Sequence, residues 1–408
     1  MRFTTLQNGA ETCARRCAIA LGVSIPISVA LDNVLLALIL LFWLVAGGYR
    51  EKLAWALANP VAIAALALFG LLLVGAIYAS GYPGDELDML GKYLDLAFVP
   101  IFVSLFRDGH ARRRAWLALA FALVLTLVIS YLARFGVISD NLLVMGDREN
   151  PVVFKQYLTQ SVMMAFATLL FSQLARATPL ISRRYLWSAL AIFSAINVAL
   201  MSLGRTGQVI LVALLFYLAH TIWPRRTALV TAVGVAVVIG ALIFSAGAIN
   251  SRFSQALEEW NNWRPGETAQ TSVGQRLEFY LNSLEIMRKH PLVGTGTGSF
   301  SKEYADQVAG TSMTATINPH NEYLNMAVQL GAIGMFALLY LFFCEWRWAP
   351  LLPTEHERHL ARGVVITFAI GCLFNSLLMD HTEGLWFAWM TGLLFAGLQP
   401  QKTGASAQ

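Results

Sequence analysis

The sequence predicts an all-α integral membrane protein with about twelve transmembrane helices and one large polar loop. Three observations support this fold class. Of the 408 residues, 57% are hydrophobic and only 13% are charged, whereas about 25% of the residues in a soluble domain are charged. Apolar stretches long enough to cross a bilayer recur along the chain. Lysine and arginine are concentrated in alternate connections between these stretches, as they are on the cytoplasmic side of membrane proteins.

The apolar stretches divide the chain into three parts. Spans are expected within residues 1–247 and within residues 322–408, and a polar loop domain is expected at residues 248–321. The predicted spans are approximately 17–31, 33–48, 59–80, 89–106, 114–134, 156–175, 185–203, 207–222, 227–247, 322–345, 363–379 and 384–399.

The distribution of positive charge predicts the orientation of the spans. If the N-terminus is cytoplasmic, the cytoplasmic segments hold most of the 29 lysines and arginines, and the short outer loops hold few. This pattern predicts that both termini are cytoplasmic and that the polar loop lies on the other face. The net charge of +5 then needs no nucleic-acid partner.

The polar loop is expected to carry amphipathic helices that lie over the outer membrane surface. A short helix is predicted at Ser254–Trp260. The sequence Ser272–Gln275 has the spacing of a capping box and opens a second helix, which Pro291 ends. The predicted apolar face of this second helix is formed by Leu277, Tyr280, Leu281, Leu284 and Met287.

Several cations fall on the predicted outer face, where the topology rule disfavours them. Arg205 lies in a tight turn between two spans, and Arg276 lies near the start of the capped helix. Each could clamp an anion, because guanidinium pairs with phosphate in a bidentate manner. The alternatives are an arginine bound to lipid phosphate at 205 and a snorkelling arginine at 276. Lys155 and Arg148 bracket the entrance of the span at 156–175, where charge is common.

A histidine on the same face has the properties of a general base. The sequence predicts that Asn318 caps the next helix, Pro319 takes its first position and His320 lies in its first turn. A helix N-terminus disfavours a protonated imidazole, so the ring is expected to be neutral, as a base must be. The alternative is a histidine that only donates and accepts hydrogen bonds. The turn between the last two spans holds Asp380, His381 and Glu383, which could also be a solvated turn.

Other kinds of site are not indicated. Gly294, Gly296 and Gly298 resemble a phosphate loop, but no strand precedes them and no Gly-Lys-Ser/Thr follows, so a turn is expected instead. The sequence has no HExxH motif and no histidine–cysteine cluster, and its four cysteines form no CxxC pair. We therefore expect no metal and no cofactor. The outer face has no ATP, so a reaction there must be driven by its substrate.

Two stretches resemble the O-antigen ligase and polymerase superfamily of bacterial inner membranes. They are RLEFYLNSLEIMRKHPLVGTGTGSF, from Arg276 to Phe300, and PHNEYLNMAVQLGAIG, which follows it. The turn Arg205-Thr-Gly resembles the basic residue that precedes the loop in this family. The resemblance covers most of the chain, including the dozen spans and the late periplasmic loop.

The resemblance implies a glycosyltransferase of the Gram-negative inner membrane with a periplasmic active site. Such enzymes take a glycan from undecaprenyl diphosphate and need no nucleotide or metal. A ligase transfers it to lipid A–core oligosaccharide, a polymerase to another carrier-linked glycan, and a related oligosaccharyltransferase to a protein hydroxyl. The resemblance also supports His320 as the base and Arg205 and Arg276 as diphosphate ligands, with Lys155 or Arg148 as further diphosphate ligands. The candidate acceptor-binding or supporting residues are Asp380, His381, Glu383, Asn321 and Tyr280.

The length and the single late loop favour the ligase over the polymerase. The chain stops soon after the last predicted span, which disfavours a protein-glycosylating enzyme. A transporter of carrier-linked glycan would need charged groups along the spans, and Asp95 is the main one within them. A scaffold without activity would leave the outer arginines and histidine unexplained.

Overall fold

A computed structural model describes residues 2–138, 144–222, 261, 263, 272–311 and 313–398. Across these ranges the only strand pairing is one isolated bridge between Val144 and Val153. The predicted all-α class is therefore confirmed for the part of the chain that the structure describes. The helices are α1 (Arg2–Ser24), α2 (Val29–Ala46), α3 (Tyr49–Leu57), α4 (Pro60–Ile77), α5 (Asp85–Tyr93), α6 (Asp95–Leu105), α7 (Gly109–Arg134), α8 (Tyr157–Ala177), α9 (Ile181–Ile196), α10 (Arg205–Ile222), α11 (Ser272–Lys289), α12 (Phe300–Gln307), α13 (Glu322–Trp348), α14 (Glu355–Gly371) and α15 (His381–Phe395).

Seven of the described helices are long and apolar enough to cross a membrane. They are α2, α4, α7, α8, α9 with the π-helical turn that extends it, α10, and α13 with the 3₁₀ turn that follows it. The chain is thus a multi-pass helical membrane protein, and the number of twelve spans remains a prediction. The predicted span 227–247 and the predicted helix Ser254–Trp260 lie outside the described residues.

Three predicted spans differ from the helices observed. The predicted span 89–106 is two short helices, α5 and α6, which meet at Leu94. The predicted span 17–31 is the end of α1, which stops at Ser24 and turns before α2. The predicted span 363–379 corresponds to α14, which stops at Gly371 and continues as a buried non-helical segment. Such backbone is tolerated at membrane depth only where protein groups satisfy its hydrogen bonds.

The non-helical segment 372–380 is bonded to the start of α13. The Glu322 amide donates to the Cys372 carbonyl over 2.9 Å, and the Leu378 amide donates to the Glu322 carboxylate over 2.9 Å. Hydropathy could not predict this segment, because its polar groups are satisfied by residues about 50 positions away in sequence.

The starts of α8, α10, α13 and α15 lie at one end of the helix bundle, together with the end of α14. We call this the polar end. The contacts that bring the helix ends together are Lys155–Thr382 between α8 and α15, Gly204–Ser161 between α10 and α8, and Glu322–Cys372 between α13 and α14. A buried aromatic cluster holds α8, α14 and α15 in this register, with Trp386 packed against Phe166 and Phe368 at centroid distances of 5.1 and 5.3 Å.

The glycine-rich segment after α11 docks against a break in α13. Gly331 has φ +63° and interrupts the helix. The carbonyls that this break frees accept hydrogen bonds from the docked segment, namely Val328 from Thr295 and Gln329 from Gly296. The two family-like stretches of the sequence are therefore in direct contact, and the predicted turn after Pro291 is an element that joins the loop to the spans.

Helix α11 forms where the capping box predicts, but its buried face is different. Ser283 and Ile286 are buried at 0% and 2% exposure, whereas Leu281 and Leu284 are 47% and 38% exposed. The helix packs on α12 and α13 through the Ile286 side, because Phe300, Tyr304 and Val328 form a small core there. Leu281 and Leu284, from the predicted apolar face, are therefore left exposed.

Candidate active site

His320 lies before helix α13 rather than in its first turn. The N-cap is Asn321, whose side chain accepts from the Leu324 amide, and the helix begins at Glu322. The predicted cap, Asn318, instead accepts from the His320 amide over 2.8 Å. Asparagine side chains often bond the backbone two residues ahead, and this local turn excludes His320 from the helix.

The backbone of His320 is held in an unusual conformation. His320 and Phe154 are the two non-glycine residues with positive φ among the described residues, at +52° and +61°. Such conformations persist only where surrounding groups enforce them, and they are concentrated at functional sites. At His320 the enforcing group is the Tyr280 hydroxyl, which donates to the His320 carbonyl over 3.2 Å and to the Leu373 carbonyl over 2.9 Å.

The imidazole of His320 is anchored on one nitrogen. Its Nδ1 is 2.8 Å from Oδ1 of Asn375, and the ring stacks on Phe279 with centroids 6.1 Å apart. Its Nε2 has no hydrogen-bond partner among the residues that the structure describes. Asn375, which is 7% exposed, was not singled out by the sequence analysis. Asn375 is a polar residue inside an apolar predicted span, and this is the one feature of the sequence that could have indicated it.

Segments 318–322 and 372–380 are joined by side-chain hydrogen bonds as well as by backbone. The Asn321 amide donates to the Leu373 carbonyl over 3.0 Å, and the Ser376 hydroxyl donates to Asn318 Oδ1 over 2.8 Å. Asn321 and Tyr280, both predicted as supporting residues, thus lie beside His320 and bond the same carbonyl.

Arg276 lies one turn before Tyr280 on α11. Burial raises the pKa of the Tyr280 phenol, and the positive charge of Arg276 acts in the opposite direction, so the two side chains are near each other. The guanidinium of Arg276 is partly exposed and forms no ion pair with any described residue. The structure therefore places one predicted diphosphate ligand next to the group that holds His320.

Arg205 is the first residue of α10 and is exposed at the polar end. The helix start is fixed against α8, because a Cβ at Gly204 or Gly207 would overlap Ser161. One turn further on, Ile210 reaches Gly371, where the segment carrying Asn375 begins. Arg205 forms no ion pair with the described residues, and it does not contact His320 directly.

Lys155 is buried at 8% exposure and its amine is directed inward. It donates to the Thr382 hydroxyl over 3.1 Å and lies 3.8 Å from the Asp32 carboxylate. Burial lowers the pKa of Lys155, and the negative charges of Asp32 and Glu383 oppose this change. The lysine therefore joins α8 to the start of α15 and is not grouped with Arg205.

The remaining predicted residues lie at the polar end in different environments. Arg148 is exposed, with its guanidinium against Gly136, at the end of α7. Asp380 and His381 are half-buried, and Glu383 is buried. Burial raises the pKa of the Asp380 carboxyl, while His320 and Lys92 act in the opposite direction, so Asp380 is near the histidine.

A buried polar network runs along α13 below His320. Tyr93 donates to Glu322, Asn325 donates to Tyr93, and Gln329 donates to Asn325. The amide of Gly298 in the docked segment donates to Gln329 over 2.7 Å. The sequence analysis missed this network, although the three-to-four-residue spacing of its polar residues on one face of α13 could have indicated it.

Comparison with known proteins finds a family model that matches part of the chain. Residues 189–339 match the family model described as O-antigen ligase, and this range contains Arg205, Arg276 and His320. An uncharacterized protein of Haemophilus influenzae is 24% identical over 162 residues, which are 38% of this chain and 41% of that protein. The chain thus spans about two fifths of the length of this relative.

One solved structure also resembles the chain. Its title is "Structural coordination of polymerization and crosslinking by a peptidoglycan synthase complex", and the matching chain has a TM-score of 0.46 and 15% sequence identity. The match covers 83% of this chain and 96% of that one.

Proposed function

We propose that this protein is an O-antigen ligase. The premise is that residues 189–339 match the O-antigen ligase family model. The protein transfers a glycan from undecaprenyl diphosphate to a sugar hydroxyl of lipid A–core oligosaccharide. The reaction takes place on the periplasmic face of the Gram-negative inner membrane, and both termini of the chain are cytoplasmic. The observation that carries the proposal is His320, anchored at Nδ1 with Nε2 unengaged by described residues, inside the matched range.

The residues supply two parts of a displacement reaction. Arg205 and Arg276, which are unpaired among the described side chains, bind the diphosphate and neutralise charge as it builds on the leaving oxygen. Nε2 of His320 accepts the proton of the acceptor hydroxyl. The hydroxyl oxygen bonds the anomeric carbon as the bond to the diphosphate breaks, and the electron pair leaves with the diphosphate. Attack from the opposite side inverts the anomeric configuration.

The other predicted residues support this arrangement. Lys155 acts through Thr382 and holds the start of α15, and Arg148 adds positive charge at the surface of the polar end. Asn321 and Tyr280 hold the backbone on either side of the reacting ring. Asp380 precedes α15, and His381 and Glu383 are in its first turn. We assign Asp380 and His381, which are half-buried, to acceptor binding, and Glu383, which is buried, to support.

Reconstitution of the purified protein in nanodiscs tests the proposal. The donor is glycan linked to undecaprenyl diphosphate, with or without lipid A–core, in the absence of ATP and in the presence of a chelator. We expect glycan on the lipid A–core. Longer carrier-linked glycans formed without that acceptor would instead make the protein a polymerase that uses the same site. The absence of any transfer in both arms would overturn a glycosyltransferase function.

If Arg205 clamps the diphosphate, replacing it with lysine should lower activity even though lysine keeps the positive charge. Arg205→Lys is expected to reduce kcat/KM for the donor by about 10–100-fold, nearly as much as Arg205→Ala, because lysine lacks the bidentate fork. Transfer rates at subsaturating donor measure this effect. Arg288→Lys is the matched control, because Arg288 is an exposed arginine on the same predicted face that pairs with Glu285 over 3.3 Å. An Arg205→Lys enzyme with wild-type kcat/KM would contradict the clamp.

A further inference from the structure

We propose that Asn375 is a positioning residue that fixes the tautomer and orientation of the His320 ring, so that Nε2 carries the lone pair that receives the proton. This inference rests on the proposed transferase function. It extends that function to a residue that lies 55 positions from the histidine and outside the family-matched range.

The contact between Asn375 and His320 sets which nitrogen of the ring carries the proton. Oδ1 of an asparagine side chain can only accept a hydrogen bond, and it lies 2.8 Å from Nδ1 of His320. The neutral ring therefore places its single proton on Nδ1 and donates it to Asn375. Nε2 is left as the acceptor, and the hydrogen bond at one ring nitrogen thereby sets the role of the other.

Asn375 lies on a rigidly held segment. Asn375 is 7% exposed, and its backbone N–H donates to the Gly371 carbonyl at the end of α14 over 3.0 Å. The segment on which it lies is bonded to the start of α13 on both sides, through Cys372 and through Leu378. The backbone that carries the Asn375 side chain is therefore fixed between buried helix ends, and rigid support of this kind keeps a reacting group within its productive geometry.

Further contacts fix the orientation of the His320 ring. The backbone of His320 is fixed in its positive-φ conformation by the hydroxyl of Tyr280 and the side chain of Asn318. Phe279 covers one face of the ring. With the backbone, one face and Nδ1 all held, the direction of the Nε2 lone pair is determined.

The group that accepts from His320 is a neutral side-chain amide and not a carboxylate. A carboxylate at this position would favour the imidazolium ion, which cannot accept a proton. The neutral amide orients the ring without adding negative charge to it. Asp380, on the segment before α15, acts electrostatically on His320, and Tyr280 on α11 bonds the His320 carbonyl. Arg276 on α11 lies near Tyr280, and Lys92 on α5 and Glu322 on α13 lie near Asp380.

Two substitutions of Asn375 test the role. Asn375→Leu keeps a similar volume and removes the acceptor, so we expect kcat to fall about 10–100-fold while KM for the donor changes little. Asn375→Asp keeps an acceptor oxygen and adds charge. We expect it to retain most of kcat at high pH, with the acidic limb of the kcat/KM profile moved up by about one pH unit or more. The limb moves upward because the carboxylate stabilises the protonated ring, which must lose its proton before it can act.

Ser376→Ala is the matched control, since it removes a hydrogen bond from the same segment to Asn318 and leaves the bond to His320 in place. It should lower stability without moving the pH profile. If the wild type transfers glycan and His320→Ala does not, but both Asn375 variants keep wild-type kcat and pH profile, the positioning role is refuted and the proposed function stands. If the wild type transfers no glycan, the proposed function fails and this inference fails with it.

Discussion

His320→Ala is expected to abolish glycan transfer, with kcat lowered by about 10²–10⁴-fold, the usual contribution of a general base. The ring is the half-buried base candidate at the polar end, and the backbone contacts that hold residue 320 do not depend on its side chain. The protein should therefore stay folded. Single-turnover transfer to lipid A–core measures the chemical step, and thermal unfolding in detergent reports the fold.

Two further variants make this result specific. His320→Asn should lose as much activity, because asparagine tolerates the positive φ but cannot accept the proton. His290→Ala is the control, since His290 is exposed at the end of α11 on the same predicted face, and its activity should match the wild type. Normal transfer by either His320 variant would remove the histidine from the mechanism.

Gly296→Ala is expected to destabilise the protein by about 3–5 kcal/mol, because it adds backbone strain to an overlap that cannot relax. Gly296 has φ +99°, which an alanine adopts only under strain, and an added Cβ would lie 2.3 Å from the Cα of Ala79. The Cβ has no rotational freedom and its neighbour is a backbone atom, so neither can move aside by a change of rotamer. The docked segment would then have to leave the break in α13 and also α4, where the Thr297 amide donates to the Gly75 carbonyl over 3.1 Å.

Thermal and denaturant unfolding of the purified variant measure this loss. Gly310→Ala is the control, because Gly310 also has a positive φ, +77°, but a Cβ there meets nothing within 4 Å. We expect this control to lose about 1–2 kcal/mol, which is the strain alone. Equal midpoints for the two variants would show that the close approach at Gly296 does not matter.

Part of the site could be predicted because its signal is local. The capping box at Ser272 predicts α11, and the observed helix runs from Ser272 to Lys289. The outer arginines and His320 stand out because the topology rule and the apolar surroundings make polar groups there conspicuous. The two stretches that resemble the superfamily both lie within the matched range 189–339.

Other parts of the site have no local signal. Asn318 and Asn321 have the same capping propensity, but Oδ1 of Asn318 is engaged by the His320 amide and by Ser376, which leaves the cap to Asn321. Asn375 became a candidate only when a residue 55 positions away was found beside it. Lys155 resembles a surface cation in the sequence, and its burial depends on Thr382 and Asp32 lying opposite it.

The sequence alone predicted the all-α membrane class, which the described residues confirm, and predicted that the chemistry lies at one end. A bilayer satisfies no backbone hydrogen bonds, so an apolar stretch of sufficient length must form a helix whatever its neighbours are. The tertiary structure alone decided where α14 ends, which asparagine caps α13 and which nitrogen of His320 contacts Asn375. Each of these depends on a few hydrogen bonds between segments distant in sequence, and periodicity along the chain carries no information about such bonds.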